Sequence, residues 1–156
     1  MVGLAQKKEF KTTLSMDFFR IMCGDKLGYG MSRTVYELTT DRSLVVKFET
    51  VAGQFQNANE FALWQRYMDY EPVSKWLAPI DSISANGTVL LMKRTTPISL
   101  DQFPDEVPHF LGDIKLGNFG MYEGRVVCHD YGTGLFENPR RGMKKVIKTE
   151  TGVHSK

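Results

Sequence analysis

The sequence predicts an α+β fold in which an antiparallel sheet carries one main helix. Three observations lead there. The stretches "RTVYEL" and "SLVVKFE" alternate apolar and polar residues on either side of a polar connection, as paired strands do. "NEFALWQRYMDY" repeats its large apolar residues at three- and four-residue spacing, as a helix does. An Asn-Gly pair stands ahead of the apolar run "TVLLMK", the strongest short-range hairpin signal in the chain.

Taken in order, Gly28 and Gly30 are expected before the first strand, which runs through Thr34, Val35, Tyr36, Glu37 and Leu38 and turns at residues 39–42. The returning strand contains Val45, Val46 and Lys47. Asn57 is expected to cap the helix, Phe61, Trp64, Tyr67 and Met68 to form its apolar stripe, and Pro72 to end it. A short segment from Lys75 to Ser84 pairs through Asn86-Gly87 with the strand that follows. Between Arg94 and Pro108 three prolines, Pro97, Pro104 and Pro108, leave room only for a short helix from Ser99. The Glu123-Gly124 turn then closes a small hairpin, with Asp130 just past its second strand. Residues 140–156 carry six Lys or Arg and are expected as a basic, flexible tail.

With 156 residues, of which 42% are hydrophobic, the chain fits one domain with a real core. Its 20 basic residues are nearly matched by 18 acidic ones, so charge gives no footprint for nucleic acid. Cys23 and Cys128 are far apart in apolar surroundings and read as buried free thiols, which suits a reducing cytoplasm. No apolar run is long enough to span a membrane, and the charged residues among the first twenty argue against a signal peptide.

Several residues could carry chemistry, and each has an ordinary structural alternative. Gly28-Tyr29-Gly30 is either a hairpin turn or a turn whose N-H groups approach phosphates; a dinucleotide fingerprint is excluded because a strand follows. Lys47 either faces a cleft, with Val45 on its side of the pleat and Val46 on the other, or faces solvent. Glu60 either orients Lys47 or lies on the helix surface. In "FLGDIKLGNFGMYEGRVVCHDYG", Asp113, Asn118 and Asp130 are either turn residues or a set of hard oxygens suited to Mg2+.

Taken together these segments resemble the eukaryotic-type protein kinase superfamily and its phosphotransferase relatives. "LGYGMSRTVY" is similar to the kinase glycine-rich loop at Gly28, Gly30 and Val35, with Arg33 in place of the third glycine. "VVKFE" places Lys47 on the strand lysine, and Glu60 resembles its helical partner. "GDIKLGN" is similar to the catalytic loop, which implies Asp113 as base, Lys115 beside it and Asn118 as metal ligand. "DYG" from Asp130 to Gly132 resembles the metal-binding Asp-Phe-Gly motif. Leu111 stands where the family has a histidine, while Gly112 fits the His-Gly-Asp version of its small-molecule relatives.

The resemblance implies a kinase-like N-lobe in which a minimal catalytic-loop and metal-loop hairpin replaces the helical C-lobe. It implies ATP and Mg2+ as cofactors, with Gly28, Gly30, Val35, Lys47, Glu60 and Met92 toward the nucleotide and Asn118 and Asp130 toward the metal. Asp113, Lys115 and Lys47 are the catalytic candidates. The implied activity is phosphoryl transfer to a protein hydroxyl; the alternative is an inactive kinase-like module that inhibits or recruits a protein partner. No helical acceptor region and no Ala-Pro-Glu motif follow Gly132. Homo-oligomerisation over an apolar underside built from Trp64, Trp76, Phe103 and Phe110 would repair that gap. Chains this short also resemble accessory proteins of bacteriophages, which would place the protein in a host cytoplasm.

Overall fold

The computed structural model describes residues 19, 21–51, 53–132, 141–150 and 152–155. The charged N-terminal stretch and the tail positions 140, 151 and 156 lie outside the described residues. Strands β1 (Cys23–Tyr29), β2 (Arg33–Leu38), β3 (Leu44–Glu49), β4 (Ile80–Ile83) and β5 (Val89–Lys93) form an antiparallel five-stranded sheet in the order β1-β2-β3-β5-β4. Helix α1 (Gln56–Tyr67) and the single turn α2 (Glu71–Ser74) connect β3 to β4. Below them lie β6 (Glu106–Pro108), the β7-β8 hairpin (Phe119–Tyr122 and Arg125–Cys128), β9 (Met143–Thr149) and β10 (Gly152–Ser155). The α+β architecture expected from the pattern is thus the one found.

Four differences from the sequence expectation matter. Gly28 lies on a strand rather than before one, because β1 pairs with β2 through an irregular register with shifts on both sides of Lys26. Glycines within "CGDKLGY" interrupt the alternation by which a strand is recognised. Asn57 does not cap α1: the cap position is Phe55, at a left-handed φ of 52°, and the first-turn N-H groups of Gln56 and Asn57 point to the Glu49 carboxylate at 3.3 and 3.4 Å. That carboxylate, supplied by β3, meets orphan donors and the positive end of the helix dipole. The apolar stripe of α1 is also less buried than its spacing suggests. Phe61, Trp64 and Tyr67 are partly buried against the core and Met68 is 48% exposed, whereas Asn57 and Glu60 are fully buried.

The fourth difference concerns the C-terminal residues, where Met143–Thr149 and Gly152–Ser155 form β9 and β10 instead of trailing as a basic tail. β9 pairs antiparallel with β6, setting Lys145 opposite Glu106, and Lys148 reaches Asp105 at 2.7 Å. Lysines alternating with Met143 and Ile147, both exposed, and half-buried Val146 hide a strand inside a charge run, and its acidic counterpart lies far away in sequence. The acidic residues between the prolines thereby gain a cross-strand partner, although pairs this exposed contribute little stability each.

Val45, Leu90 and Met92 join the larger core with Phe103, Phe110, Phe119 and Val127, while Val46 packs with Leu38 and Leu44 on the opposite face. Phe103 meets Phe119 edge to face at 4.9 Å. Phe103 and Phe110 are each only 2% exposed, and Trp64 and Trp76 are half-buried against the same core. The apolar underside expected from the sequence is therefore largely consumed inside the chain, because β6, β9 and β10 fold beneath it. Among the described residues no helix is long and apolar enough to cross a membrane.

Candidate functional site

Lys47 occupies the middle of β3, opposite Val35 of β2 and Leu90 of β5. Strand alternation puts it on the face of Val45 and away from Val46. Its ammonium is buried and donates to both Glu60 carboxylate oxygens at 3.0 and 2.8 Å, and also to the His129 carbonyl. Burial pulls the Lys47 pKa down, and the Arg33 charge adds to that effect while Glu60 opposes it.

Glu60 reaches this point because α1 is anchored by Asn57, whose amide donates to the Lys47 and Thr88 carbonyls at 3.1 Å each. A polar residue at that turn of the helix locks α1 to β3 and to the strand beside it. The Glu60 carboxylate then collects six hydrogen bonds. Besides the two from Lys47, Arg33 donates at 2.7 and 3.2 Å, and the N-H groups of Tyr131 and Gly132 donate at 2.9 and 3.2 Å. Burial alone would raise its pKa, but Lys47 and Arg33 hold it down at about 2. A buried charge is tolerable only when so fully paired.

Residues 129–132 are set by several independent ties. The Tyr131 hydroxyl donates to the Ala78 carbonyl at 3.0 Å. His129 links Thr95 through Nδ1 at 2.8 Å with the Gly117 carbonyl through Nε2 at 2.9 Å. A carbonyl only accepts, so Nε2 carries the proton and Nδ1 accepts from the Thr95 hydroxyl. Burial and the nearby Lys47 charge lower the His129 pKa, in keeping with a neutral ring. The Cys128 thiol is buried, pushed up to about 12 by that burial, and its Sγ lies 3.4 Å from the Asp130 carbonyl. His129 and Cys128 therefore hold the loop in place.

Gly132 packs where no side chain fits. A Cβ there would lie 2.5 Å from the Gln56 carbonyl oxygen and 3.3 Å from Glu60 Cγ. Gly132→Ala is expected to push the loop off α1 and to lower stability by about 1–3 kcal/mol, measured by urea unfolding. An unchanged unfolding midpoint would show that this close approach is not a constraint.

Asn118 ends a short 3-10 turn (Leu116–Asn118), and its Nδ2 donates to the Asp113 carbonyl at 3.1 Å and to Asp113 Oδ2 at 3.0 Å. Both bonds use Nδ2, which leaves the Asn118 Oδ1 as the atom a cation could use. Lys115 is 70% exposed and reaches Asp113 Oδ2 at 3.1 Å. Asp130 is paired with Arg33, the residue at the third glycine position of the glycine-rich pattern, which is only 6% exposed.

These segments surround one cleft of about 680 Å³. It is lined by Gly28, Gly30, Val35, Lys47, Met92, Asp113, Asn118 and Asp130, so eight of the residues singled out in the sequence share its wall. Glu60 lies behind Lys47, and Lys115 is not part of the lining. Sequence reasoning passed over Arg33, Asn57 and His129 as structural elements of this site. Arg33 was visible as the charged residue that breaks the glycine pattern and Asn57 as a helix-cap candidate, but nothing local marked their buried contacts with Glu60 and the Lys47 carbonyl.

A cleft of this volume lies within the range of small-molecule sites. Its lining holds four cationic side chains, Arg33, Lys47, Lys93 and Arg94, of which Arg33 and Lys47 pair with Glu60 and Arg94 pairs with Glu37 at 2.8 Å. Asn118 Oδ1 and the Asp130 carboxylate are hard oxygen donors of the kind that hold Mg2+ together with phosphate and water. Among the described residues no group of three or more His, Cys, Asp or Glu side chains could hold a metal, so these two would need phosphate oxygens to complete a coordination shell. No family model matches the chain, and no curated protein matches it.

Proposed function

We propose that the chain is a kinase-like protein that binds ATP with Mg2+ and transfers the terminal phosphoryl group to a protein hydroxyl. The observation that carries this reading is the single cleft in which the glycine turn, Lys47, Asp113, Asn118 and Asp130 meet. The fold is compatible with it: an antiparallel sheet carries a helix that brings Glu60 to the buried Lys47. Bound Mg2+ would neutralise phosphate oxygens and favour departure of ADP.

The protein's own residues have distinct tasks in this reading. Residues 28–30 lie over the phosphates, Lys47 with Glu60 sets the charge behind them, and Met92 and Val35 line the wall toward the base. Asp113 takes the proton of the acceptor hydroxyl. The hydroxyl oxygen bonds to the terminal phosphorus as the bond from that phosphorus to the bridging oxygen of ADP breaks. Asn118 holds Asp113 by two hydrogen bonds and presents its Oδ1 to the metal.

A second reading, a binding module that engages a protein partner without transfer, is favoured by the Arg33 bridge to Asp130, which occupies one of the candidate metal ligands. Incubation with terminally labelled ATP and Mg2+, with the chain itself and a cell extract as acceptors, separates the two. Phosphoryl transfer requires labelling that Asp113→Ala and Asp130→Ala both abolish. ATP binding in calorimetry without labelling above those variants would leave the binding module, and absence of binding would remove both nucleotide readings.

A further inference from the structure

Arg33 is the feature of the site that its proposed function does not use. It begins β2 directly after the turn over the cleft, and that turn is fixed by the Gly30 N-H bonded to the Arg33 carbonyl at 2.8 Å and the Thr50 N-H bonded to the Ser32 carbonyl at 2.8 Å. From there its side chain runs inward to Glu60 and onward to Asp130, joining residues 97 apart in sequence. An arginine does not lose its proton in a protein, so this charge is permanent.

We propose that Arg33 is a resident cation of the nucleotide site, which neutralises Asp130 in place of a metal and lets ATP bind with little dependence on divalent ions. The inference rests on the nucleotide-binding reading above, but not on catalysis. Without Arg33, an empty site would hold the Asp130 carboxylate facing incoming phosphates, and a divalent ion would be required to relieve that repulsion. With Arg33 in place the carboxylate is already paired, and Lys93 on the cleft wall presents positive charge to the phosphates. The fork geometry of a guanidinium suits this double duty, since it can satisfy two carboxylates at once where an ammonium would act as a point charge. Metal is then needed for transfer rather than for binding.

The test is calorimetric titration of the full chain with ATP, once in Mg2+ and once in EDTA. The wild type is expected to change its Kd by less than about threefold between the two. Arg33→Met is expected to bind about tenfold more weakly in EDTA and to recover in Mg2+. Asp130→Asn removes a partly exposed carboxylate without touching the buried Glu60 pair, and so remains informative if Arg33→Met does not fold. It is expected to bind ATP in EDTA at least as tightly as the wild type. Wild-type binding seen in Mg2+ and lost in EDTA would overturn the role of Arg33 while leaving the nucleotide site intact. Binding in neither buffer would overturn both.

Discussion

Glu60→Gln is expected to destabilise the chain by about 3–5 kcal/mol, because it leaves two buried cations facing a neutral amide. The carboxylate is fully buried and accepts from Lys47, Arg33 and two backbone N-H groups. A glutamine has one acceptor oxygen, and its NH2 would point a donor at groups that can only donate. The loss has a pH signature. The ordinary carboxylate value is 4.5 and the folded value about 2, so above 4.5 both states are ionised and the full stabilisation is present. As pH falls from 4.5 towards 2, the unfolded carboxylate takes up a proton that the folded one refuses, and stability drops. That depression corresponds to about 3 kcal/mol at 1.36 kcal/mol per pKa unit. Arg33 is charged in both states across this window and adds no slope. Urea unfolding at a series of acidic pH values should show the wild type losing stability there, with the Gln variant nearly flat by comparison. Equal slopes for the two proteins would mean that Glu60 does not carry the acid sensitivity.

The residues at this centre differ in how readily the sequence gives them away, and the reason is physical. Lys47 was legible because a charged residue inside an apolar alternating run has only two faces to choose between. Asp113, Asn118 and Asp130 were legible because turns and a tight hairpin fix their relative positions within a short stretch. The helix was legible by its period, but its buried face was not. Spacing identified Phe61, Trp64 and Tyr67, whereas the positions most completely enclosed are Asn57 and Glu60, polar residues whose burial depends on partners in other segments. Arg33 is the sharpest case. Within its own stretch it is a polar residue at a strand start, and its meaning arises only when Asp130 and Glu60 close on it.

The same logic explains the strands that were missed. β1 is broken up by glycines, and β9 is disguised by lysines whose acidic counterparts on and beside β6 lie far upstream. Pairing at long sequence separation is not encoded in any local window, so a charge run reads as solvated until its partner strand is in place. This rearranges the view of the lower region. Among the described residues no long helix lies beneath residues 113–118, and support comes from β6, β9 and β10, from the buried Phe103 and Phe110, and from the β7-β8 hairpin whose Met121 bridges to Thr96. Such a base can position residues 113–118 and 129–132 relative to the sheet. Among the described residues it offers no extended helical surface on which an acceptor peptide would lie under the phosphotransferase reading.

Under the phosphotransferase reading, the largest functional effect is therefore expected at Asp113, where acceptor and donor meet. Asp113→Asn is expected to reduce phosphoryl transfer by about 10²–10⁴-fold, the range for loss of a positioned general base. The exchange keeps the side chain's size, and the backbone carbonyl that anchors Asn118 at 3.1 Å is untouched, so the ligand-facing Oδ1 of Asn118 should keep its place. ATP affinity should consequently stay within about twofold of the wild type. Asn118→Ala should behave differently, lowering transfer and raising the Mg2+ concentration that transfer requires, because it removes a metal ligand and the brace on Asp113 together. Single-turnover labelling alongside calorimetric titration distinguishes these patterns. If Asp113→Asn and the wild type transfer at the same rate, Asp113 is not the base, and its hydrogen bonds to Asn118 and Lys115 serve only to shape the turn.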